Sequence, residues 1–503
     1  MTSVKTLALI GLNGFIIDVE VDVSDSFPSW DVVGLPDVVV KESKERIKAA
    51  LKNNGVDVPS KKYVINLSPA DIKKDSSNLD LPIAIGILIE LGIIKRQDYS
   101  NMIIEGELSL NGEIRRSNGI LPIIVEAKKK NIKCAIIPYE NAVEASVVEG
   151  IEIITVKSLE EVINFFNNGE ILDTMKVTSN MKIKWDEEDD YEFDFGIVKG
   201  QEDCKRGLQI AVSGNHNILM VGTPGSGKTL LAKCLPSIMP RLTYDEALEI
   251  NNIYSASGNL NNEKFITKRP FRSPHHSITE IGFVGGGNNL KPGEITLAHN
   301  GILFLDELTE YKTGLLDTLR IPLEDKEIVI RRVNRSIKYP CNFMLVAAAN
   351  PCPCGYYGSK TKECTCTEKQ IERYKSKFSG PFLDRIDINI NVQMVNKNDY
   401  SQNNIKSSKE YRMDIENARK IQFERYKGDN IYTNSQLNGK LIEKYCELNN
   451  DCKNLLESVV EQNKISARSY YKIIKVARTI ADLDNSQNIE IQHLVEAIHY
   501  KIT

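Results

Sequence analysis

An eight-residue, glycine-rich stretch constrains the fold of this chain more than any other feature. It comprises Gly222, Thr223, Pro224, Gly225, Ser226, Gly227, Lys228 and Thr229. The mostly apolar run 216–221 before it has the length of a strand, and residues 229–235 after it have helical spacing. A strand, a glycine-rich turn and a helix in this order are typical of a loop that binds the phosphates of a nucleoside triphosphate. An ordinary turn before a core helix is the alternative, and the complete pattern disfavours it.

Each residue type in the stretch has a chemical reason to be there. The glycines let backbone N–H groups surround a β-phosphate at the positive end of a helix. Lys228 is predicted to reach the β- and γ-phosphates, and the Thr229 hydroxyl to bind Mg²⁺. The sequence therefore predicts that the chain binds ATP or GTP together with magnesium.

Length and composition limit the remaining possibilities. A chain of 503 residues is too long for one core, so we expect three domains. The net charge of -4 is small, so any contact with nucleic acid must come from a local basic patch. The sequence shows no apolar run of membrane-spanning length and no cleavable signal, and its ten cysteines are expected to be reduced thiols. We expect a cytoplasmic protein that does not bind membranes.

The pattern along the chain predicts an α/β fold class with three domains. Strands and helices alternate in an N-terminal domain, 1–175, among them an expected strand over 109–115. An acidic segment, 176–194, is expected to be a solvated linker. A nucleotide-binding domain with a parallel sheet follows at 195–395, and a helical domain at 396–503.

Acidic and amide side chains follow two apolar runs that come after the phosphate loop. Asp306 and Glu307 follow the run 302–305, which fits a central parallel strand. Asp306 is predicted to hold Mg²⁺ through water, and Glu307 to polarise the attacking water. Two adjacent acids also occur at ordinary helix starts. Asn350 ends the run 343–349, and we expect its amide between the strands that carry the loop and the acids, where it can orient the water.

These residues resemble those of AAA+ ATPases, and four further stretches resemble the magnesium-chelatase-like AAA+ proteins of bacteria, the YifB/ComM family. The stretches are RPFRSPHH at 269–276, VGGG at 284–287, PGEITLAH at 292–299 and NPCPCG at 350–355. The resemblance spans essentially the whole chain. It implies ATP rather than GTP, a central AAA+ domain with a C-terminal helical lid, and assembly into a ring, which in this family is a hexamer.

The resemblance also assigns roles to two arginines. Arg385 lies in the segment 379–387 that matches the arginine-finger segment, so it is expected to reach the γ-phosphate of the neighbouring subunit. An ion pair with Asp384 or Asp387 on a helix surface is the alternative. Arg468 matches the second sensor arginine, which would cover the nucleotide from the lid; a solvent-facing side chain is its alternative. An arginine supplied to a neighbour requires head-to-tail contacts, which close into a ring.

Two excursions from the predicted sheet could contact a threaded strand. Residues 327–339 alternate as a hairpin does and carry Arg331, Arg332, Arg335 and Lys338. Residues 282–293 are rich in glycine, and we expect a loop too flexible to be part of the core. In family relatives, hairpins at the equivalent positions project into the pore of the ring. This implies a basic rim that binds DNA phosphates with little sequence preference; a solvated charged hairpin is the alternative.

Four cysteines form a second local signal. They are arranged as two Cys-x-Cys pairs, Cys352 with Cys354 and Cys364 with Cys366. Four thiolates on one short loop can bind Zn²⁺ tetrahedrally at Zn–S distances of about 2.3 Å. Reduced thiols without a metal are the alternative. Because the loop follows Asn350, a bound metal would brace the end of the catalytic strand.

Part of the N-terminal domain, residues 106–120 and 135–138, resembles the proteolytic domain of Lon, which has an S5-like α/β fold. Catalysis in that family needs a serine nucleophile activated by a lysine. The corresponding positions here read Ile83 and Leu121. Alkyl side chains neither attack a carbonyl nor accept a proton, so we expect no peptidase activity. We expect the domain to remain as a platform that binds partners or stabilises a ring.

The leading hypothesis is a ring-forming ATPase that translocates on DNA, as a helicase or branch-migration motor in recombination or natural transformation. Recombination or DNA-uptake proteins would then be its partners. A motor subunit for inserting a metal into a tetrapyrrole is the first alternative, and an ATP-dependent scaffold without motor activity is the second. The completeness of the predicted ATPase residues disfavours a scaffold.

Overall fold

The computed structural model describes residues 2–72, 74, 76–96, 98–169, 191–260, 265–287, 290–332, 335–359, 362–378, 380–395, 406–463 and 465–502. The chain forms two compact units. Unit 1 comprises Met1–Trp185 with Ala247–Ile266, and unit 2 comprises Asp186–Glu246 with Thr267–Thr503. Most of the predicted acidic linker, 176–190, lies outside the described residues. Both units mix helices and strands, which confirms the predicted α/β class.

Unit 1 contains two larger sheets and a two-stranded pair. Its strands are β1 (Thr2–Ile10), β2 (Asn13–Ser24), β3 (Ser29–Val33), β4 (Lys62–Ser68), β5 (Met102–Ile104), β6 (Glu107–Leu108), β7 (Ile114–Arg115), β8 (Cys134–Pro138) and β9 (Glu152–Val156). The first sheet has the order β1-β2-β4-β3, in which only β3 and β4 are parallel. The second sheet, β5-β8-β9, is parallel.

Helices α1 (Val38–Asn53), α2 (Asp80–Glu90), α3 (Ile120–Lys129), α4 (Ala142–Ala145) and α5 (Leu159–Asn168) complete the N-terminal part, with 3₁₀ turns at Ser77–Leu79 and Tyr139–Asn141. Helix α2 is apolar on all sides and is buried from Asp80 to Ile89, so it forms the centre of the unit 1 core. The strand expected over 109–115 is wrong: β6 and β7 pair as a short hairpin around a turn at Gly112.

The two positions compared with the Lon nucleophile and base lie in the core of unit 1. Ile83 is on α2 and is 2% exposed, and Leu121 is on α3 and is fully buried. Both side chains fill the apolar interior that their composition predicts. The absence of peptidase activity stays a prediction.

Unit 2 is built on a sheet of five parallel strands. The strands of unit 2, in the main sheet and in two separate pairs, are β10 (Ile218–Gly222), β11 (Phe271–Arg272), β12 (Gly285–Gly286), β13 (Lys291–Pro292), β14 (Ile302–Leu305), β15 (Glu327–Arg332), β16 (Arg335–Pro340), β17 (Met344–Ala349) and β18 (Ile388–Val392). The main sheet has the order β11-β14-β17-β10-β18, with every neighbouring pair parallel. Strands β14 and β17 are buried on both faces, as expected for a parallel sheet covered by helices.

The helices of the central region are α6 (Glu202–Gly214), α7 (Lys228–Ile238), α8 (Tyr244–Ser257, which passes into unit 1), α9 (Glu280–Val284), α10 (Glu294–Leu297), α11 (Thr313–Asp317), α12 (Arg320–Asp325), α13 (Glu368–Lys375) and α14 (Gly380–Leu383). Those of the C-terminal region are α15 (Ser408–Arg425), α16 (Gly439–Tyr445), α17 (Asn450–Asn463), α18 (Ala467–Leu483) and α19 (Ile491–Ile502). Short 3₁₀ turns occur at Phe195–Ile197, Leu308–Glu310 and Asn434–Gln436.

The C-terminal helices share one apolar core with the sheet. Ile415 on α15 and Ile480 on α18 are fully buried in the cluster that also contains Ile218 of β10. A buried hydrogen bond of 2.8 Å joins His216, just before β10, to Thr479 on α18. The core of unit 2 therefore continues across residue 395. None of the helices in the described ranges has both the length and the apolar composition needed to cross a bilayer.

The glycine-rich excursion over 282–293 is more ordered than the sequence predicts. Helix α9 leads into β12, which pairs antiparallel with β13. Phe283 is fully buried, and a Cβ on Gly293 would lie 2.4 Å from the backbone nitrogen of Gly285. The glycines at these two positions allow close backbone approach, so the expectation of a flexible loop outside the core is wrong for the described part.

Candidate nucleotide-binding site

The phosphate loop connects β10 directly to α7. Gly225 and Gly227 have φ angles of +78° and +93°, in the left-handed region that favours glycine. A Cβ on either residue would meet no atom within 4 Å, so the loop borders open space there. The Ser226 hydroxyl is buried without a hydrogen-bond partner among the described residues. An open cradle at a helix N-terminus with an unused donor fits a phosphate group.

Lys228 is held by the loop that it follows. Its Nζ donates to the carbonyl oxygens of Gly222 and Thr223, at 2.6 and 3.0 Å, and to Oδ1 of Asn350 at 3.2 Å. Burial lowers the pKa of Lys228, and the nearby charges of Asp306 and Glu307 partly offset that effect. An anionic phosphate at the loop would favour the charged ammonium further.

Thr229 and Asp306 meet across the sheet edge. Thr229 Oγ1 donates to Oδ2 of Asp306 at 2.7 Å. Both side chains offer oxygen ligands, which Mg²⁺ prefers, and neither is buried. The donor set therefore fits the magnesium ion that the sequence predicts between these two residues.

Glu307 follows Asp306 in a conformation that is uncommon for a residue with a side chain. Its φ is +49° and its ψ is +49°, at the start of the 3₁₀ turn Leu308–Glu310. Its N–H donates to Oδ1 of Asp306 at 2.9 Å, and its side chain is exposed. Such left-handed residues cost free energy and cluster at functional sites. Because the Glu307 side chain is exposed, its carboxylate is accessible to a water molecule.

Asn350 directly follows β17, which lies between β10 and β14 in the sheet. The structure thus places this amide between the loop and the acids, as the sequence predicts. It brings together five of the predicted catalytic and cofactor-binding side chains: Lys228, Thr229, Asp306, Glu307 and Asn350. Their roles in hydrolysis stay predictions.

The two predicted arginines meet on one carboxylate. Nη2 of Arg385 lies 2.8 Å from Oε1 of Glu324, and Nη2 of Arg468 lies 3.5 Å from the same oxygen. Arg385 also donates from Nε to the carbonyl oxygen of Arg320 at 3.3 Å. The Arg468 side chain is 61% exposed, whereas that of Arg385 is 12% exposed. The two guanidinium groups therefore form one cationic cluster at the end of α12.

Strands β15 and β16 form the predicted hairpin. The side chains of Ile328, Ile330, Ile337 and Tyr339 are buried on one face. Arg331 and Lys338 belong to the opposite, exposed face, where Lys338 forms an ion pair with Glu327. Arg332 is paired in register with Arg335 at the last described position of the hairpin; residues 333 and 334 lie outside the described residues. The backbone places three of the four predicted cations, Arg331, Arg332 and Arg335, at the end of the hairpin.

The four cysteines come together as the spacing suggests. Their sulfur atoms all lie within 4.8 Å of one another, and three pairs are separated by 3.3–3.6 Å: Cys352–Cys354, Cys354–Cys364 and Cys352–Cys364. Backbone N–H groups of Tyr357 and Cys354 donate to sulfur atoms of the cluster. Tetrahedral zinc with Zn–S of about 2.3 Å requires sulfur separations of about 3.8 Å. The positions of the four sulfur atoms therefore fit a tetrahedral metal site.

The cysteine loop also contacts the nucleotide site. A Cβ on Gly355, whose φ is +85°, would lie 2.6 Å from the ring of Pro224 in the phosphate loop. Tyr374, on the helix after the second cysteine pair, accepts a 2.9 Å hydrogen bond from Thr309 in the turn after Glu307. The cysteine loop thus touches the phosphate-binding side of the site, and the helix that follows the loop touches the acidic side.

Sequence reasoning missed Glu324 and Tyr374. Glu324 stands on a short helix with no motif, and only the folded chain shows that two arginines share it. Tyr374 is buried on a mostly polar helix. That pattern could have marked it as a contact residue without identifying Thr309 as its partner.

Three family models match the chain. The model described as magnesium chelatase, subunit ChlI, matches residues 194–400, and the one described as subunit ChlI of Mg-chelatase matches 19–141. The model of the ChlI C-terminal region matches residues 405–501. Together the three models cover both units of the described structure.

Some individual relatives match over nearly the full length, and others match over a shorter stretch. The competence protein ComM of Haemophilus influenzae is 38% identical over 501 residues, which are 99% of this chain and 97% of that protein. The uncharacterized protein YifB of Escherichia coli is 37% identical over 503 residues, or 100% and 97%. The magnesium-chelatase 38 kDa subunit of Cereibacter sphaeroides is 24% identical over only 176 residues, or 32% and 53%.

The position of Glu307 generates the first prediction. Glu307→Gln keeps the size of the side chain but removes the charge that polarises water. We expect nucleotide binding to persist while hydrolysis falls roughly 100-fold or more, the scale of a lost general base. Nucleotide binding by a fluorescent analogue and phosphate release measure the two effects.

The matched control is Glu310→Gln, an exposed carboxylate one turn later. It should bind and hydrolyse nucleotide as the unmodified chain does. Hydrolysis by Glu307→Gln at the unmodified rate would show that Glu307 does not act on the water.

Proposed function

Because the chain belongs to the YifB/ComM family of magnesium-chelatase-like AAA+ proteins, we propose that it is a ring-forming ATPase that translocates on DNA. The observation that carries the ATPase proposal is the cluster of Lys228, Thr229, Asp306 and Asn350 at one sheet edge, with Glu307 beside it. The family itself supports ATP and Mg²⁺ as the nucleotide and metal. Motor activity and DNA binding go beyond what the family supports and are part of the proposal.

The proposed reaction is the attack of water on the γ-phosphorus of ATP. Glu307 accepts a proton from the water, and Asn350 orients the water. The bond between the γ-phosphorus and the β–γ bridging oxygen breaks at the same time. Lys228 balances the charge on the β- and γ-phosphates. Magnesium held by Thr229 and Asp306 would neutralise the phosphate oxygens. Without the charge from a further arginine, such sites are slow.

Arg385 is proposed to supply that charge to the pocket of a neighbouring subunit, with Arg468 beside it on the same carboxylate. Their shared contact with Glu324 forms one cationic cluster rather than two separate arginines. A cluster that acts on the next pocket requires head-to-tail assembly, and head-to-tail contacts close into rings. The proposed assembly is therefore a homo-oligomeric ring, a hexamer by comparison with the family.

Mixing two inactive chains tests this arrangement. Lys228→Ala lacks a working pocket but keeps both arginines, and Arg385→Ala has the opposite defect. Each alone should lose most ATPase activity, since an arginine finger contributes about 10³–10⁵ in rate. Mixed rings contain interfaces with an intact pocket beside an intact arginine, so mixing should restore phosphate release.

A mixture of Lys228→Ala with the double variant Lys228→Ala/Arg385→Ala is the control and should stay inactive. Failure of the first mixture to recover, although native mass spectrometry shows mixed rings, would contradict a shared site.

The hairpin of β15 and β16 is the proposed DNA contact. Its buried isoleucines fix one face, which leaves Arg331 and Lys338 on the exposed face and Arg332 near the end. Clustered cations on a rigid hairpin bind phosphates without reading bases. Within a ring, this chemistry suits a strand that is moved rather than recognised.

DNA-stimulated ATP hydrolysis tests the motor proposal. Single-stranded DNA should stimulate phosphate release by the unmodified chain, and branch migration should require ATP. Arg331→Glu/Arg332→Glu should remove the stimulation, because each lost phosphate contact weakens binding, but should keep the basal rate within about twofold.

Lys440→Glu, an exposed charge on α16, is the matched control and should respond to DNA normally. The translocase proposal fails if DNA does not stimulate ATP hydrolysis by the unmodified chain and Glu307→Gln does not retain DNA in the presence of ATP. An ATP-dependent scaffold would then remain.

We also propose that the cysteine cluster binds one structural zinc ion. Four thiolates complete a tetrahedral shell and leave no open position, as in structural rather than catalytic zinc sites. The contact between Gly355 and Pro224 makes the metal a support for the phosphate loop.

Metal analysis of the purified chain should return about one zinc per chain. Cys352→Ser/Cys354→Ser should lose the metal and lower the thermal midpoint, because metal binding contributes to folding. Cys204→Ser, a buried cysteine outside the cluster, is the control and should retain zinc. A chain purified without zinc or any other bound metal would contradict the site.

The metal-insertion alternative is not favoured. The relative named as a magnesium-chelatase subunit matches only 32% of the chain, whereas the relative named as a competence protein matches 99%. The name of the Haemophilus protein supports natural transformation, and hence recombination or DNA-uptake proteins as proposed partners of this chain.

A further inference from the structure

A basic groove lined by two aromatic rings lies on unit 1. It has a volume of about 490 Å³ between the C-terminal half of α1, the segment that leads into β4, and the start of β3. Lys44, Lys48, Lys52 and Lys61 line it, opposed by the carboxylate of Asp57. None of these residues belongs to the nucleotide site, the cysteine cluster or the hairpin.

Three of the lysines follow one face of a helix. Lys44, Lys48 and Lys52 recur every four residues on α1, which spaces them about 6 Å apart along the helix axis. Two of the four lysines have an acidic partner in the described structure: Glu45 lies 3.8 Å from Lys48, and Asp25, which pairs with Lys61 at 2.8 Å, is itself 85% exposed. The groove therefore presents a row of lysines whose charge Asp57, Glu45 and Asp25 offset only in part.

The floor of the groove is aromatic. Trp30 and Tyr63 are register partners on β3 and β4, and their ring centres lie 4.7 Å apart at 33°. Tyr63 is buried and donates from its hydroxyl to the carbonyl oxygen of Pro59 at 2.9 Å, which fixes its ring. Trp30 stays partly exposed, with Nζ of Lys48 5.1 Å from its ring centre. Trp30 on the edge strand β3 and Tyr63 on the neighbouring strand β4 thus form a stacking platform under the lysines.

We propose that this groove binds single-stranded nucleic acid. Phosphates would pair with the lysine row, and one unpaired base would stack on Trp30 in place of the Lys48 ammonium. Base–aromatic stacking beside a cationic track is the common mode of binding single strands without sequence preference. A duplex keeps its bases stacked on each other, so it cannot use the platform. The groove does not depend on ATP hydrolysis or on the hairpin of unit 2.

The fluorescence of Trp30 can report whether the groove is occupied. The chain has two tryptophans, Trp30 and Trp185, so full-length Trp185→Phe leaves Trp30 as the single tryptophan, whose fluorescence can be excited selectively over that of tyrosine. An oligothymidylate of about 12 nucleotides, within the usual site size, should quench its fluorescence, and added salt should weaken that binding. Lys44→Glu/Lys52→Glu in the same background should raise the apparent Kd at least tenfold.

Lys41→Glu, an exposed lysine on α1 outside the groove, is the matched control and should leave the Kd within about twofold. Polyphosphate should compete without quenching, because it has no base to stack. No quenching by the oligothymidylate, equal quenching by a duplex of the same length, or an unchanged Kd after charge reversal would each overturn the proposal. Quenching that persists in Arg331→Glu/Arg332→Glu separates this groove from the proposed motor contact.

Discussion

The order of the parallel strands in unit 2 is the constraint on which the candidate site depends. Parallel strands end at one edge of a sheet, and β17 lies between the strand of the phosphate loop and the strand of the acids. In this register Val221 is level with Ala349, and Leu305 with Ala347. A slip of one residue would reverse the faces of the side chains and separate the groups that now share hydrogen bonds. The buried apolar strands keep that register and hence the geometry of the polar residues.

The acid at the end of α12 gives the two arginines a common position before any neighbour is present. Two guanidinium groups near one carboxylate repel each other less than they would alone, and their side chains lose less freedom when a phosphate arrives. The shared oxygen of Glu324 is therefore consistent with a preorganised surface. In the proposed assembly, the same carboxylate would be displaced or shared when Arg385 meets a γ-phosphate, which would link subunit contact to catalysis.

Local signals in the sequence predicted local structure well. The phosphate loop, the acids after β14, Asn350 after β17, the cationic hairpin and the clustered cysteines each depend on neighbours within a few residues. The missed features depend on partners far apart in the chain: Trp30 pairs with Tyr63, and Arg468 meets Glu324. The expectation of a flexible loop around Phe283 is wrong, because the glycines there allow close backbone packing rather than chain mobility.

Unit 1 is not one continuous stretch of sequence, because it includes Ala247–Ile266. Within this segment, Ser255 donates to the buried carboxylate of Glu144 at 2.7 Å, and its carbonyl accepts from the N–H of Gly119 at 3.1 Å. A fragment cut in the acidic stretch would keep these partners but lose Ser255, so the buried Glu144 carboxylate would lose one hydrogen-bond donor and keep Asn141. The N-terminal part of unit 1 therefore depends, for part of its internal hydrogen bonding, on a segment that follows the phosphate loop in the sequence.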